Sequence, residues 1–202
     1  MCWAVCCLAS ATTVVGLLRH GQTDWNIDFR LQGVTDIPLN STGIAQAEAA
    51  GSLIPKSDWD VLVSSPLSRA KDTAAIVAAL GGWNDFEIEP LLLERSFGDG
   101  EGLTYDEWRE LYQDQSTIPG VESIEALTAR CETLLDHLAA RYAGQRVLTV
   151  SHGALIRKLI NIVSAGEFPR DGERFGNASM SVIEHRDGAW SIVNYDPHTL
   201  IR

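Results

Sequence analysis

The chain has 202 residues, 45% of them hydrophobic and 21% charged, with a formal net charge of −11. That length supports one sizeable core, and the composition is that of an ordinary globular chain. So acidic a chain is unsuited to nucleic acid or an anionic membrane surface, which need clustered Lys and Arg, so a phosphate site would have to be a local basic pocket.

The four cysteines are Cys2, Cys6, Cys7 and Cys131. No pair has zinc-type spacing, which points to a reducing compartment without a disulfide framework. Met1 to Ala11 is apolar and ends in a cleavage-like Ala9-Ser10-Ala11 triplet. No Lys or Arg precedes that run, as a signal peptide would require, and it is too short to span a bilayer. The expectation is a cytoplasmic protein with an extension over residues 1–12 and a single domain over 13–202.

Thr13 to Leu18 is short, apolar and rich in β-branched residues, and predicts a buried strand that delivers Arg19, His20 and Gly21. A loop broken by Gly33 and Pro38 follows. Asn40 or Ser41 can cap the next helix, with Ile44, Ala47, Gly51 and Ile54 at helical spacing. Trp59 to Ser64 predicts a second strand. Ser65 as cap and Pro66 in the first turn open a helix faced by Leu67, Ala70, Ala74 and Val77. Ile88 to Leu93 predicts a third strand or an extended edge, and Gly98, Gly100 and Gly102 a loop. Thr104 with Glu107 forms a capping-box pattern for a helix through Trp108 and Leu111. From Ser123, the positions Ile124, Leu127, Cys131, Leu134, Leu138 and Tyr142 keep one helical face. Arg146 to Val150 predicts a fourth strand ending in Ser151-His152-Gly153. Leu155, Ile156, Leu159, Ile160 and Val163 mark another helix. Ser179 to Glu184 and Trp190 to Val193 predict strands joined at Arg186-Asp187-Gly188. This alternation predicts an α/β three-layer sandwich, with a mostly parallel central sheet flanked by helices.

Ligands of such sheets sit beyond the carboxyl ends of the strands, which makes His20 and His152 the first suspects. Each is followed by Gly, which permits sharp turns and close approach to a ligand. Arg19 and Arg69 also follow strands, and guanidinium matches phosphate by paired, charge-assisted hydrogen bonds. Neutral imidazole can act as a nucleophile.

Leu18-Arg19-His20-Gly21-Gln22-Thr23 with Trp25-Asn26 resembles the signature of the histidine phosphatase, or phosphoglycerate-mutase-like, superfamily. The resemblance continues through Arg30-Leu31-Gln32-Gly33, Ser64-Ser65-Pro66-Leu67-Ser68-Arg69-Ala70, Leu93-Glu94-Arg95 and Val150-Ser151-His152-Gly153, in the family's order. It implies that His20 attacks phosphorus and that Arg19, Arg69 and His152 clamp the phosphoryl oxygens. Asn26 and Thr23 would add neutral hydrogen bonds, and Glu94 would be the general acid, then base. Gln32, Gly33 and Arg95 would touch substrate, although Arg95 can equally sit on the surface. Fixed positive groups suit the charge spread of phosphoryl transfer. The phosphate dianion favours a protonated carboxyl beside it.

Several residues have simpler readings. Arg69 can pair with Asp72 on its helix, and Thr23 and Asn26 can bond their own turn. His137, His185 and His198 are read as structural. Phe97, Tyr105, Trp108 and Tyr112 can either wall the substrate or pack their segment to the core. No cofactor is expected and no metal site, since Arg flanks the candidate histidines and repels a cation. The resemblance favours the phosphatase branch, because only 58 positions (152 − 94) separate Glu94 from His152. The alternatives are a cofactor-dependent phosphoglycerate mutase and a non-catalytic binding module on the same fold. The expected partner is a small phosphorylated metabolite, with no nucleic acid and no membrane; a homodimer is allowed.

Overall fold

Six strands form one sheet in the order β3-β2-β4-β1-β5-β6. They are β1 (Thr13–Arg19), β2 (Val61–Ser64), β3 (Glu87–Ile88), β4 (Arg146–Ser151), β5 (Met180–Arg186) and β6 (Ala189–Asn194). The computed structural model describes residues 11–198. The apolar start with Cys2, Cys6 and Cys7 therefore lies outside the described residues, except for its last residue. β1, β2, β3 and β4 pair in parallel, while β5 and β6 add an antiparallel edge. At the turn between them, Asp187 and Gly188 both have positive φ (53° and 82°), the backbone of a tight right-twisted hairpin.

β1 and β4 are central, which explains their unbroken apolar runs. Successive side chains enter two different cores. Val15, Leu17 and Val147 pack with α5 (Ile124–Arg141) and α6 (Gly153–Val163). Leu18, Leu148 and Val150 pack with α2 (Ser41–Leu53) and α3 (Ser68–Gly81) on the other face. This is the expected α/β sandwich. Two further helices, α1 (Asp24–Ile27) and α4 (Tyr105–Leu111), stand in the loops beyond the strand ends.

Three local expectations are corrected. The third strand stops at Ile88 and turns into a 3₁₀ segment, Pro90–Leu92. Pro90 has no N–H for a ladder, and the Glu89 carboxylate takes the Leu91 N–H instead. Ser65 and Pro66 lie before α3, whose cap position is Leu67. Ile44 and Ile124 are exposed, because the buried face of α2 is Gly43, Ala47, Ala50 and Gly51 and that of α5 begins at Leu127. The one-turn α1 went unread because it is too short for any periodicity. Asn40 does cap α2, accepting from the Gly43 N–H at 2.9 Å, and the Thr104–Glu107 capping box forms.

Gly21 explains the tight joint between β1 and α2. Its main chain lies directly against Gly43, and a Cβ on either residue would run into the other segment's backbone. The glycine after His20 is thus demanded by helix packing. A Gly→Ala change inside a helix ordinarily stabilises by about 1 kcal/mol. Gly43→Ala is expected instead to destabilise by about 1–3 kcal/mol, because the overpacked neighbour is main chain. Chemical denaturation checks this, and a midpoint at or above that of the unsubstituted protein would refute it.

Candidate active site

The register of the sheet brings the two histidines together. Arg19 on β1 lies opposite Ser151 on β4, and the His20 N–H donates to the Ser151 carbonyl at 2.9 Å. The rings of His20 and His152 are consequently 5.1 Å apart. β2 ends beside them, with the Ser65 N–H on the Val150 carbonyl at 3.0 Å. Three strand ends therefore feed one site, at the edge of a cleft of about 310 Å³ whose wall includes Arg19, His20, Asn26, Arg69 and Glu94.

His20 is buried, and its Nδ1 lies 2.7 Å from the Gly21 carbonyl. A carbonyl only accepts, so Nδ1 carries the proton and Nε2 keeps its lone pair. Burial holds the imidazole pKa well below the ordinary 6.5, and the charges of Arg19 and Arg69 push the same way. His152 is fully buried behind the cleft, and its pKa is likewise held well below 6.5 by burial, then by Arg69, His20 and Arg19. Its Nε2 is 2.7 Å from Ser65 Oγ, while its Nδ1 has no partner. Ser65 Oγ also accepts from the Leu67 N–H at 3.4 Å. A neutral His152 whose Nε2 accepts the Ser65 hydroxyl proton leaves Nδ1–H as a free donor. The other tautomer would strand both that hydroxyl proton and the Nδ1 lone pair.

The guanidiniums are held by main chain. Arg69 is fully buried and donates from Nη1 to the Thr35 carbonyl at 2.9 Å and from Nη2 to the Gly33 carbonyl at 2.7 Å. Pairing with Asp72, the simpler reading, is not what holds it. Arg19 donates from Nη1 to the Phe175 carbonyl. Burial lowers its pKa to about 10, which leaves it charged at neutral pH; Glu94 opposes the shift and Arg69 adds to it. The Nε–H groups of both arginines are buried without partners.

Glu94 sits at the amino end of α6. Its carboxylate accepts the N–H groups of Arg95, Leu155 and Ala154 at 2.9–3.0 Å. Its segment is tied down by Arg130 on α5, which donates to the carbonyls of Leu91, Leu93 and Glu94 while forming a 2.7 Å ion pair with Glu122. Arg130 was not among the sequence candidates, because nothing local to it marks a partner some 36 residues away.

The remaining candidates divide. Asn26 lines the cleft, but Thr23 does not. Thr23 is buried and caps α1, its hydroxyl accepting the Asn26 N–H at 3.3 Å and donating to Asn26 Oδ1 at 3.1 Å. Thr23 thus stands beside the cleft wall as a cap, and a second residue also donates to the same Oδ1. This is Asn177, an unforeseen residue that also donates to the His20 carbonyl at 3.1 Å. Gln32 and Gly33 line the cleft, Gln32 with a buried, unpartnered Oε1. Gly33 is fixed by Glu101, which accepts from Val34 and Thr35. Arg95 is away from this cleft, in an adjoining groove, with Nε on the Glu122 carbonyl at 2.9 Å and Nη1 on Gln115 at 3.1 Å. Of the four aromatics, Phe97 lines the cleft, Tyr105 is exposed in a neighbouring one, Trp108 is packed in and Tyr112 is half-buried at the end of α4. His137 pairs with Glu89 at 3.0 Å, away from the site. Among the described residues no group of three or more His, Cys, Asp or Glu is placed to hold a metal ion, and no helix is long and apolar enough to cross a membrane.

A family model described as the histidine phosphatase superfamily (branch 1) matches residues 15–197. The chain belongs to this superfamily. A Bacillus subtilis phosphatase named PhoE is 39% identical over 91% of this chain and 94% of its own. A metal-independent phosphoserine phosphatase of Arabidopsis thaliana is 34% identical over 91% and 81%. A mycobacterial glucosyl-3-phosphoglycerate phosphatase superposes with a TM-score of 0.79 at 28% identity, covering 91% of this chain and 98% of that one. Superfamily members include phosphatases and mutases, and the chain is supported as an enzyme of this group.

The two depressed imidazole pKa values give this superfamily member a testable acid sensitivity. In the unfolded chain both histidines titrate near 6.5, and in the fold both resist protonation below that. As pH falls below 6.5 the unfolded state binds protons that the native site refuses, so stability is lost. The loss approaches about 1.4 kcal/mol per pH unit for each histidine, until the folded values are reached. The double variant His20→Asn, His152→Asn should flatten the stability profile between pH 6.5 and 5. An equally steep profile in urea titrations of the variant would contradict the assignment.

Proposed function

We propose that this protein is a metal-independent phosphatase that hydrolyses a small phosphate monoester through a phosphohistidine on His20. The observation that carries the reading is a set of three buried donors without acceptors, Arg19 Nε, Arg69 Nε and His152 Nδ1, gathered around a neutral nucleophile. Each such donor costs about 1–3 kcal/mol if left unmatched, and a phosphoryl group offers three oxygens to match them.

In the first displacement His20 Nε2 bonds to phosphorus and the ester P–O bond breaks. Glu94 gives its proton to the departing oxygen. In the second, Glu94 takes a proton from water, the water oxygen bonds to phosphorus and the N–P bond breaks, returning His20 and inorganic phosphate. Arg19 and Arg69 stabilise the charge on the equatorial oxygens throughout, and Asn26 adds a neutral hydrogen bond. Asn177 and Ser65 are positioning residues, one on the His20 carbonyl and one on His152. The named phosphatases among the relatives support hydrolysis, and the metal-independent one supports chemistry with no cation. A solved mycobacterial relative at 30% identity was captured with VO3, an analogue of the group transferred.

Hydrolysis of p-nitrophenyl phosphate and a panel of phosphorylated metabolites tests the proposal, with 3-phosphoglycerate checked for isomerisation in the same run. Turnover should survive EDTA, be inhibited by vanadate and vanish in His20→Ala. Glu94→Gln should lower kcat about 10²–10⁴-fold on alkyl phosphates. The effect should be smaller on p-nitrophenyl phosphate, whose leaving group departs without a proton. Substantial activity in His20→Ala would refute the nucleophile, loss on chelation would refute the metal-free route, and isomerisation primed by a bisphosphate would move the protein to the mutases.

A further inference from the structure

A second, larger cleft of about 840 Å³ opens beside the phosphate cleft, and the two share Arg19, Asn26, Arg30, Arg174 and Phe175 on their walls. Its character differs from that of the catalytic pocket. Trp25, Phe29, Tyr105 and Phe175 line it, and two of these rings face solvent: Phe29 is 65% exposed and Tyr105 49%. Phe29 has φ 54°, a left-handed backbone uncommon for a bulky side chain and of the kind that gathers at ligand sites. The Arg174 guanidinium lies 5.7 Å from the centre of the Phe29 ring, and Trp108 meets the Tyr105 ring edge-on at 5.4 Å. Both rings are thus held while still presenting apolar area.

The charge of this cleft is balanced. Beyond Arg19 its cations are Arg30 and Arg174. Arg30 is answered by Asp28 at 3.6 Å and Glu107 at 3.5 Å, and Asp106 adds a further carboxylate to the wall. A second phosphate or carboxylate entering here would find no surplus of positive charge. The other groove beside the phosphate cleft, of about 460 Å³, is the opposite, with Arg95, Arg157 and Lys158 against Asp171.

We propose that the aromatic cleft is the leaving-group subsite, and that it selects monoesters whose alcohol carries an uncharged flat ring. This rests on the phosphatase reading. The larger cleft opens directly from the phosphate cleft, starting at two residues assigned to phosphate, Arg19 and Asn26. A ring seated there would cover Phe29 and Tyr105, stacking being a gain that small aliphatic alcohols cannot make.

The test compares 2-(2-naphthyl)ethyl phosphate with propyl phosphate, both esters of primary alcohols and so similar in leaving-group basicity. Calorimetry with the two matching, non-hydrolysable phosphonates reads binding without turnover. The naphthyl compounds should be favoured about tenfold in kcat/KM and in Kd, and Phe29→Ala with Tyr105→Ala should remove most of that ratio. A carboxyl group on the distal ring edge should weaken the naphthyl ester, and Asp106→Asn should recover part of the loss. Equal handling of ring and propyl compounds, or a ratio untouched by the double variant, would overturn the subsite. So would a gain from the distal carboxyl, which would point to the basic groove. Ring-selective binding with no hydrolysis of either ester would instead overturn the phosphatase reading and leave the subsite standing, while absence of both would overturn both.

Discussion

Two guanidiniums, half-buried Arg19 at the end of β1 and fully buried Arg69 in the first turn of α3, without a carboxylate ion-paired to either among the described residues, are the constraint on which the rest of this site depends. A buried charge is tolerated only where hydrogen bonds replace its water. Here main-chain carbonyls do so: those of Gly33 and Thr35 for Arg69, and that of Phe175 for Arg19. The fit is deliberately incomplete. Each arginine keeps one donor unmatched, and His152 a third. The site is therefore short of acceptors, a shortage that an oxyanion would fill in so acidic a protein.

Burial, reinforced by the same positive field, governs the imidazoles. Together they disfavour protonation of His20 and His152, leaving one with a free lone pair and the other as a neutral donor. Tautomers are then set by single contacts, a carbonyl for His20 and a serine hydroxyl for His152. Glu94 faces this field from the start of α6, where three N–H groups hold it in place and Arg130 anchors its chain from behind. Loop residues can thus be positioned as firmly as strand residues, because each loop is tied to a long helix or a buried carboxylate.

Much of this was legible in the chain. The apolar runs of β1 and β4 marked central strands, since only strands buried on both faces lack alternation. The rule that ligands gather at carboxyl ends then singled out His20 and His152 before any geometry. The errors were local. Ile88 to Leu93 is apolar enough for a strand, yet Pro90 and the Glu89 side chain divert it. Ser65 has the chemistry of a helix cap and serves a histidine instead.

What the sequence by itself determined is the set of chemical groups and the strand ends that carry them, because periodicity and residue type are properties of short segments. Only the tertiary structure decided which groups face one another. Arg130 meets the Glu94 segment, Asn177 meets His20, and Glu101 meets Gly33 and its loop across separations that leave no local pattern. The division of the surroundings into an aromatic cleft and a basic groove has the same origin. Phe29, Tyr105 and Arg174 become one wall only when three loops fold over the same edge of the sheet.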